Sequence, residues 1–400
     1  MLMGVSAEQQ ELHATVRRFL ADRAPLPRVR ELMEADDGTD AEVWRQAAVQ
    51  LGLPGIAIPE EYGGSGFSFA EQAIVLEELG AALYTGPYLA SAVLAATALL
   101  ASPDDEARRD FLPGIASGET VATLAFTEDD GSWQPDAIRL SAERTADRNG
   151  SRSGAGWRLD GHKSFVLDGH TADLILTVAV TDGGLSLFAV DGEAAGAGGA
   201  SGASVASGAA GAGEAAGLTR TLLPTLDQTR KLARLEFRAV TGRLIGSPGD
   251  AAAVLGRVLD VAAIALAAEQ LGGAQRALDM AVEYAKIRHQ FGRPIGSFQA
   301  IKHRCADLLL EVESLRSAVS YAAEAVAADS DEIPVLASLV KAYGSETFFH
   351  VAAENIQIHG GIGFTWEHDA HLYFKRAKSS ELFLGDGSYH RERLAQRIGL

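Results

Sequence analysis

Apolar residues recur at different spacings in three successive regions of the chain. Over residues 1–119 they return every three or four positions, the period of an amphipathic helix. Over residues 120–245 they form short runs separated by turn residues, which is typical of β-strands. Over residues 246–400 the helical period returns and is strongest. The pattern predicts an N-terminal helical domain, a middle β domain and a C-terminal helical bundle with these boundaries.

Two details refine this prediction. One seam of the last region steps by three and four residues through Cys305, Leu308, Val312, Leu315 and Val319. The β signal of the middle region lies in residues 121–126, 157–159, 164–167, 174–180, 185–190 and 232–237. Residues 192–217 are almost entirely Gly, Ala and Ser, a composition that buries too little apolar surface to order itself. We expect a disordered loop without catalytic duty there.

The composition limits the class of protein. The chain has 400 residues, of which 47% are hydrophobic, enough for two or three domains with a large buried core. Its formal net charge is -18, and no basic run is present. A nucleic-acid partner is therefore not expected, because phosphate binding needs clustered Lys and Arg. A single cysteine, Cys305, excludes a disulfide framework or a cysteine-based zinc site and fits a reducing compartment.

No targeting segment or metal site is predicted. Residues 1–11 lack a basic segment followed by an apolar core, and the apolar run over residues 89–101 is too short to cross a bilayer. We therefore expect a cytoplasmic protein without a membrane span. His359, His368 and His371 lack the carboxylate or cysteine spacing of a metal site, so we expect them to be solvated or packed.

Short motifs along nearly the whole chain resemble those of the acyl-CoA dehydrogenase family. They occupy residues 51–53, 58–66, 125–128, 131–132, 159–163, 229–231, 288–299 and 357–364. Each motif is a weak signal, but their shared order makes a strong one. The resemblance implies a multidomain α and β fold with an N-terminal α-helical domain, a middle β-barrel domain and a C-terminal four-helix bundle. It also implies FAD as cofactor, α,β-dehydrogenation of an acyl-CoA thioester, and electron-transferring flavoprotein as electron acceptor.

The resemblance assigns cofactor contacts to two regions. In the family the FAD lies across a subunit interface, with its ring against its own β domain and its tail held by the neighbouring subunit. The residues that the resemblance implies beside the ring are Phe126, Thr127 and Ser132. Those implied at the tail are Arg288, Phe291, Gln299, Gln357, Gly360 and Gly361. Glycines let backbone amides approach an anionic pyrophosphate, and an arginine supplies charge-assisted hydrogen bonds.

Structural roles are the alternative for these residues. Arg288 alone could be a surface ion-pair residue, and Gln357 could be a buried amide tied to the backbone. Phe364 and Trp366 fit bundle packing as well as they fit cofactor contact. Arg288 has the family's spacing to Phe291 and Gln299, and Gln357 stands shortly before Gly360 and Gly361. These positions favour contact with the cofactor over a purely structural role.

The two positions of the family's catalytic glutamate hold apolar residues. The resemblance puts these positions at Leu384 and Ala262, and neither side chain can accept a proton. A base for this reaction is a carboxylate with a raised pKa in an apolar pocket. Ala263 also replaces an arginine that positions acyl-CoA in the family, and Leu167 replaces a threonine whose hydroxyl bonds the flavin.

We interpret the chain as a subunit without catalytic residues of its own, since base and flavin-edge positions are lost while the tail positions remain. Some bacterial acyl-CoA dehydrogenases, including ones that act on steroid side chains, are heterotetramers of two homologous subunits. By this resemblance the chain completes the FAD site of a homologous catalytic subunit in an α2β2 assembly. Two alternatives stay open. One is a self-sufficient dehydrogenase with a relocated acid at Asp386, Glu381 or Glu269, and the other is a flavin-free scaffold of the same fold.

Overall fold

The N-terminal region is helical in the computed structural model, which describes residues 6–145, 156–193 and 217–400. Its α-helices are α1 Ala7–Arg23, α2 Leu26–Glu34, α3 Ala41–Leu51, α4 Phe69–Ala81, α5 Ala96–Ala101 and α6 Asp105–Ala116. A π-helix, Leu89–Ala95, leads directly into α5. Side-chain caps fix where several of these helices begin. At α1, the Ser6 side chain accepts a hydrogen bond from Gln9 N at 3.1 Å, and the Gln9 side chain accepts one from Ser6 N.

The middle region is a closed β-barrel. Its strands are β1 Ala122–Ala125, β2 Ser141–Arg144, β3 Trp157–Leu167, β4 Leu174–Thr181, β5 Gly184–Asp191, β6 Gly217–Leu223 and β7 Leu232–Ile245. Neighbouring pairs run β4–β2–β3–β7–β5, and β5 pairs again with β4, which closes the ring. Strand β1 adds to β4 in parallel, and β6 adds to β7. The predicted middle β-barrel is confirmed.

The strands depart from the sequence prediction in two respects. Strands β2 and β6 were not predicted, because their polar residues give little apolar alternation. The runs at 157–159 and 164–167 belong to one continuous strand, β3. Its pairing with β7 shifts register between Leu159 and Gly161 and again between Lys163 and Val166. Apart from its two ends, the predicted disordered loop at 192–217 lies outside the described residues.

The C-terminal region is a helical bundle. Its helices are α7 Ala251–Ile287, α8 Gln299–Ala327, α9 Ile333–His359, α10 Ala370–Leu382 and α11 Gly387–Arg397. Helix α7 packs against α8, α9 and α10, and α9 also packs against α11, which adds a fifth helix to the predicted four-helix bundle. The predicted seam is buried at Leu308, Val312, Leu315 and Val319, while Cys305 is half-buried.

The central helix of this bundle, α7, is both long and strongly apolar. Helix α7 is the one described helix long and apolar enough to cross a membrane by composition, but 72% of its most apolar window is buried inside the protein. It contacts α4 and the π-helix of the N-terminal region as well as its bundle neighbours. Burial on all sides by protein explains its composition.

Candidate functional site

The residues predicted at the flavin tail meet at one end of the bundle. A small core of Ala281, Ala285 and Ile358 joins the last turns of α7 and α9, and Ile301 brings in the start of α8. A two-stranded hairpin, β8 His289–Gln290 and β9 Arg293–Pro294, connects α7 to α8. Arg288, Gln299 and Gln357 therefore lie on elements that this core holds together, and Gly360 and Gly361 follow α9 directly.

These tail residues are exposed and free to bind a ligand. Arg288, Gln299, Gln357, Gly360 and Gly361 are all exposed. Among residues 6–145, 156–193 and 217–400, the side chain of Arg288 forms no ion pair, so it is not an ordinary surface ion-pair residue. Gln357 is likewise not a buried amide.

The two glycines form an open backbone cradle. Gly360 has φ 65° and ψ -142°, a conformation that favours glycine. A Cβ atom built on either glycine would meet no heavy atom within 4 Å. The Gly360 N–H already donates to the carbonyls of Ile356 and Gln357 at the end of α9. The open space at Gly361 leaves its backbone accessible to an anion such as a pyrophosphate.

Large aromatic side chains project from the same end of the bundle. Phe291 is 92% exposed, Phe364 is 84% exposed and Trp366 is 65% exposed. Bundle packing therefore does not explain Phe364 or Trp366. Exposed aromatic side chains grouped at one end are typical of a surface that another molecule covers.

Histidines next to this surface form a stacked cluster. His359 stacks on Tyr284 with centroids 4.3 Å apart, and its ring lies 4.3 Å from that of His368. Burial lowers the pKa of His359, His368 and His371. The described part of the chain has no group of three His, Cys, Asp or Glu residues that could hold a metal ion.

The residues predicted beside the flavin ring lie where β1 ends, but they bond within the protein. The hydroxyl of Thr127 donates to the carbonyl of Ser164 at 2.6 Å. Phe126 is buried with its ring 5.8 Å from Trp133. Ser132 N donates to Asp130 Oδ1 at 3.0 Å within the turn. This group therefore stabilises the turn itself.

The two base positions are buried in apolar core. Leu384 is 3% exposed, and Ala262 and Ala263 are buried in α7. Leu384 has φ 63°, so the loop holds it in the left-handed region that is uncommon for leucine. Leu167, at the flavin-edge position, is also buried. No carboxylate or hydroxyl is present at these four positions.

The loop around Leu384 is fixed by two buried polar side chains. Lys341 Nζ donates to the carbonyls of Glu381 at 3.1 Å and Gly385 at 2.9 Å, and to Ser345 Oγ at 2.9 Å. Burial lowers the pKa of Lys341 to about 7. A ring nitrogen of His390 bonds the carbonyl of Leu384 at 2.9 Å. These hydrogen bonds hold the loop in place although Leu384, and not an acid, occupies the predicted base position.

The three acids considered as relocated bases have structural partners. Asp386 is exposed and caps α11 by accepting from Tyr389 N at 2.8 Å. Glu381 pairs with Lys378 at 3.0 Å. Glu269 is buried between Arg230, at 2.5 Å, and Arg376, at 2.7 Å.

A buried ionic network around Glu269 was missed by sequence reasoning. Arg376 Nε also donates to Asp227 Oδ2 at 2.9 Å, so the network joins α10, α7 and the loop before β7. Glu269, Arg230 and Arg376 line a cavity of only about 30 Å³, together with Asp168. Burial raises the pKa of Asp168 to about 7, against the opposing effect of Arg230 and Arg376. Ligand pockets typically measure ~300–1,000 Å³, so this cavity has room for little more than water.

Comparisons with known proteins identify the family. The acyl-CoA dehydrogenase N-terminal domain matches residues 6–119, and the acyl-CoA dehydrogenase C-terminal domain matches residues 252–399. The chain is 37% identical over 377 residues to acyl-CoA dehydrogenase IpdE2 of Mycobacterium tuberculosis, covering 94% of this chain and 93% of that protein. The chain belongs to the acyl-CoA dehydrogenase family.

Other relatives agree with this assignment. Acyl-CoA dehydrogenase FadE27 of Mycobacterium tuberculosis is 33% identical over 378 residues, which is 92% of this chain and 91% of that protein. The ChsE4-ChsE5 complex of the same organism contains a chain with a TM-score of 0.83 and 30% identity, covering 100% of this chain and 99% of the other. The steroid acyl-CoA dehydrogenase Tcur3481-Tcur3483 gives a TM-score of 0.82 at 30% identity, covering 99% and 98%.

The family implies FAD, and the two ends of the candidate site differ in how well they fit it. The tail end fits: the Gly360-Gly361 cradle is open, and Arg288 is exposed without an ion pair in the described chain. At the ring end, Leu167 supplies no hydroxyl, and the Thr127 hydroxyl donates to the Ser164 carbonyl, which leaves only its acceptor lone pairs for a ligand. The ring end of this acyl-CoA dehydrogenase chain therefore fits FAD less well than the tail end.

Proposed function

We propose that the chain is the partner subunit of a heteromeric FAD-dependent acyl-CoA dehydrogenase and lacks a working active site of its own. It completes the flavin site of a homologous catalytic subunit, in an α2β2 assembly that dehydrogenates an acyl-CoA thioester. The observation that carries this proposal is the contrast between the flavin-tail end and the flavin-ring end of the candidate site. Tail-binding residues are exposed and free, whereas the base positions are apolar, buried and without a carboxylate.

Each tail residue has a role in this proposal. The guanidinium of Arg288 would pair with the pyrophosphate, and the amide of Gly361 would donate to it, with Gly360 leaving room for its approach. Gln299 and Gln357 supply neutral hydrogen bonds to the remainder of the tail. When bound, FAD accepts the hydride in the catalytic subunit's site, and electron-transferring flavoprotein is the proposed acceptor thereafter.

Two further observations support a heteromer. The ChsE4-ChsE5 complex and Tcur3481-Tcur3483 pair two different chains, and each contains a chain similar to this one. Aromatic side chains at Phe291, Phe364 and Trp366 expose apolar surface around the tail residues, where the neighbouring subunit would lie. Because Tcur3481-Tcur3483 is a steroid acyl-CoA dehydrogenase, we propose a lipid or steroid acyl-CoA as the substrate class.

The test is a flavin count on the protein isolated from its own host. The tagged chain should co-purify with a homologous acyl-CoA dehydrogenase subunit, with one FAD for every two chains. Arg288→Ala should lower the flavin content of that complex while both chains remain assembled.

Other outcomes select the alternatives. If the chain purified alone is yellow and oxidises an acyl-CoA, it is a self-sufficient dehydrogenase and the heteromer proposal fails. If the complex forms but its flavin content does not respond to Arg288→Ala, the flavin-free scaffold is favoured. The positions of Asp386, Glu381 and Glu269, each held by a structural partner, speak against the first of these outcomes.

A further inference from the structure

An indole ring joins the β-barrel to the bundle beside the Leu384 loop. Trp133 follows the β1 turn, and its ring lies 5.8 Å from Phe126 of the barrel. On the bundle side it meets Phe383 edge-on, with centroids 5.5 Å apart. Both distances are within the range of favourable aromatic pairs, so Trp133 is held from two domains.

The aromatic contacts continue into the ionic network. The guanidinium of Arg230 lies 5.7 Å from the ring centroid of Phe383, and Arg230 in turn pairs with Glu269. A continuous series of side chains therefore runs from the end of β1 to the centre of α7. This series crosses the space between Phe126 and the Leu384 loop, the positions that the resemblance assigns to the flavin ring and to the catalytic base.

A larger opening remains next to the indole. A cavity of about 340 Å³ lies between the barrel and α10, and its lining includes Trp133, Phe165, Leu232, Leu382 and Phe383. Its lining is largely apolar and aromatic. Trp133 forms the wall between this cavity and Phe126.

The turn that carries Trp133 is anchored against movement. Asp129, two residues before Gly131, accepts a hydrogen bond from Ser164 Oγ at 2.5 Å and pairs with Arg234 of β7. Both partners lie on barrel strands, so the turn is tied to the sheet. The indole is consequently a fixed part of the wall.

We propose that Trp133 closes the ring slot of this chain, so that its barrel binds no isoalloxazine ring. The inference rests on the proposed function in one respect, the expectation of a single FAD for every two chains. It deepens that function by assigning the loss of the second ring site to one side chain. The indole takes the place of the ring between Phe126 and Phe383 and keeps the domains packed without cofactor.

Riboflavin tests this inference independently of the heteromer. It carries the ring but neither the pyrophosphate nor the adenosine, so its binding does not depend on Arg288, on Gly360 or on a partner chain. The full-length chain is titrated into riboflavin, and quenching of flavin fluorescence is followed. Wild-type protein should show no saturable binding, whereas Trp133→Ala should bind at least tenfold more tightly.

Two further variants complete the test. Phe67→Ala removes an exposed aromatic side chain outside this cavity and should behave as wild type. Phe383→Ala opens the same slot from the bundle side and should also gain binding, which keeps the test valid if Trp133→Ala does not fold. Saturable binding by the wild type, or no gain in any folded slot variant, would overturn the inference. Neither result bears on the flavin count that tests the heteromer.

Discussion

Arg376 Nη1 lies 2.7 Å from Glu269 Oε1, and both side chains are buried between α7 and α10. The carboxylate also accepts from Arg230, and Arg376 donates to Asp227. Four charged groups therefore satisfy one another inside the protein. Both guanidinium groups donate to Oε1 of this carboxylate, so Glu269 links two arginines inside the protein, which supports a structural role for it.

Glu269→Gln should strongly destabilise the chain. The substitution keeps the side-chain volume but leaves Arg230 and Arg376 without a shared counter-charge, and breaking a buried ion pair costs about 3–5 kcal/mol. Urea unfolding of the purified chain measures the change. Glu381→Gln is the matched control, since its pair with Lys378 is more exposed and is worth about 0–1 kcal/mol. Equal effects of the two variants would contradict a structural role for the network.

Asp168→Asn should stabilise the chain more at pH 8 than at pH 5. Burial raises the pKa of Asp168 to about 7 from its ordinary value of 3.8. Between these values the unfolded chain binds fewer protons than the folded one, so stability is lost as pH rises toward 7. Asparagine avoids this loss and tolerates the left-handed backbone at this position, where φ is 53°.

The measurement is the urea midpoint at pH 5, 6.5 and 8. The advantage of Asp168→Asn should grow across this range, by an amount on the order of 1–4 kcal/mol at 1.36 kcal/mol per pKa unit. The exposed carboxylate Asp182 supplies the control, Asp182→Asn, which should give a difference that does not vary with pH. If the stability difference caused by Asp168→Asn were as constant over this pH range as that caused by Asp182→Asn, burial of the Asp168 charge would cost no stability, and the prediction would be wrong.

The sequence was sufficient for the order of elements, because that order depends on local patterns. Helical periodicity predicted the seam at Leu308 and Val312. The resemblance assigned Arg288 and Gly360 to the flavin tail; the structure brings their elements together, and cofactor contact stays a prediction. The network could not be predicted in this way. Glu269 and Arg376 are 107 positions apart, and nothing in either local pattern shows that the fold brings them together.

The filled ring slot was also invisible in the sequence. Trp133 is one more aromatic residue after a turn, and only the barrel-to-bundle contact with Phe383 gives it a role. Strands β2 and β6 were missed for a related reason. They are stabilised by pairing with β3 and β7 and not by their own apolar alternation.

Lys341→Met should loosen the loop that carries Leu384. The ammonium group donates to two loop carbonyls, and the thioether can donate to neither, so buried acceptors lose their partner at a cost of about 1–3 kcal/mol each. Hydrogen exchange should accelerate in residues 381–386 of the folded variant. Lys378→Met, on the neighbouring exposed face, should leave exchange in this segment unchanged, and equal exchange in both variants would rule out the anchoring role.

Gly361→Ala should separate folding from flavin binding. A Cβ at this position meets no heavy atom within 4 Å in the free chain, so thermal stability should change little. In the heteromer the same methyl group would stand where the backbone approaches the pyrophosphate, and the flavin content should fall. Gly256→Ala is the control: its Cβ position is equally open, but it lies near the start of α7, roughly 45 Å along the helix from Arg288 at about 1.5 Å per residue. A flavin content that responds equally to both substitutions, or to neither, would exclude the cradle as a pyrophosphate site.

Phe291→Ala should weaken assembly with the partner subunit without unfolding the chain. The side chain is 92% exposed, so its removal costs the isolated chain little, whereas an aromatic anchor at the centre of an interface commonly contributes about 2 kcal/mol or more. That energy corresponds to a rise of roughly thirtyfold in the dissociation constant, measured by sedimentation of the purified complex. Leu400→Ala removes an apolar side chain of similar exposure, 89%, at the C-terminus and should leave assembly unchanged. If both variants assemble as the wild type does, the surface around Arg288 does not face the partner, and the flavin tail must be held elsewhere.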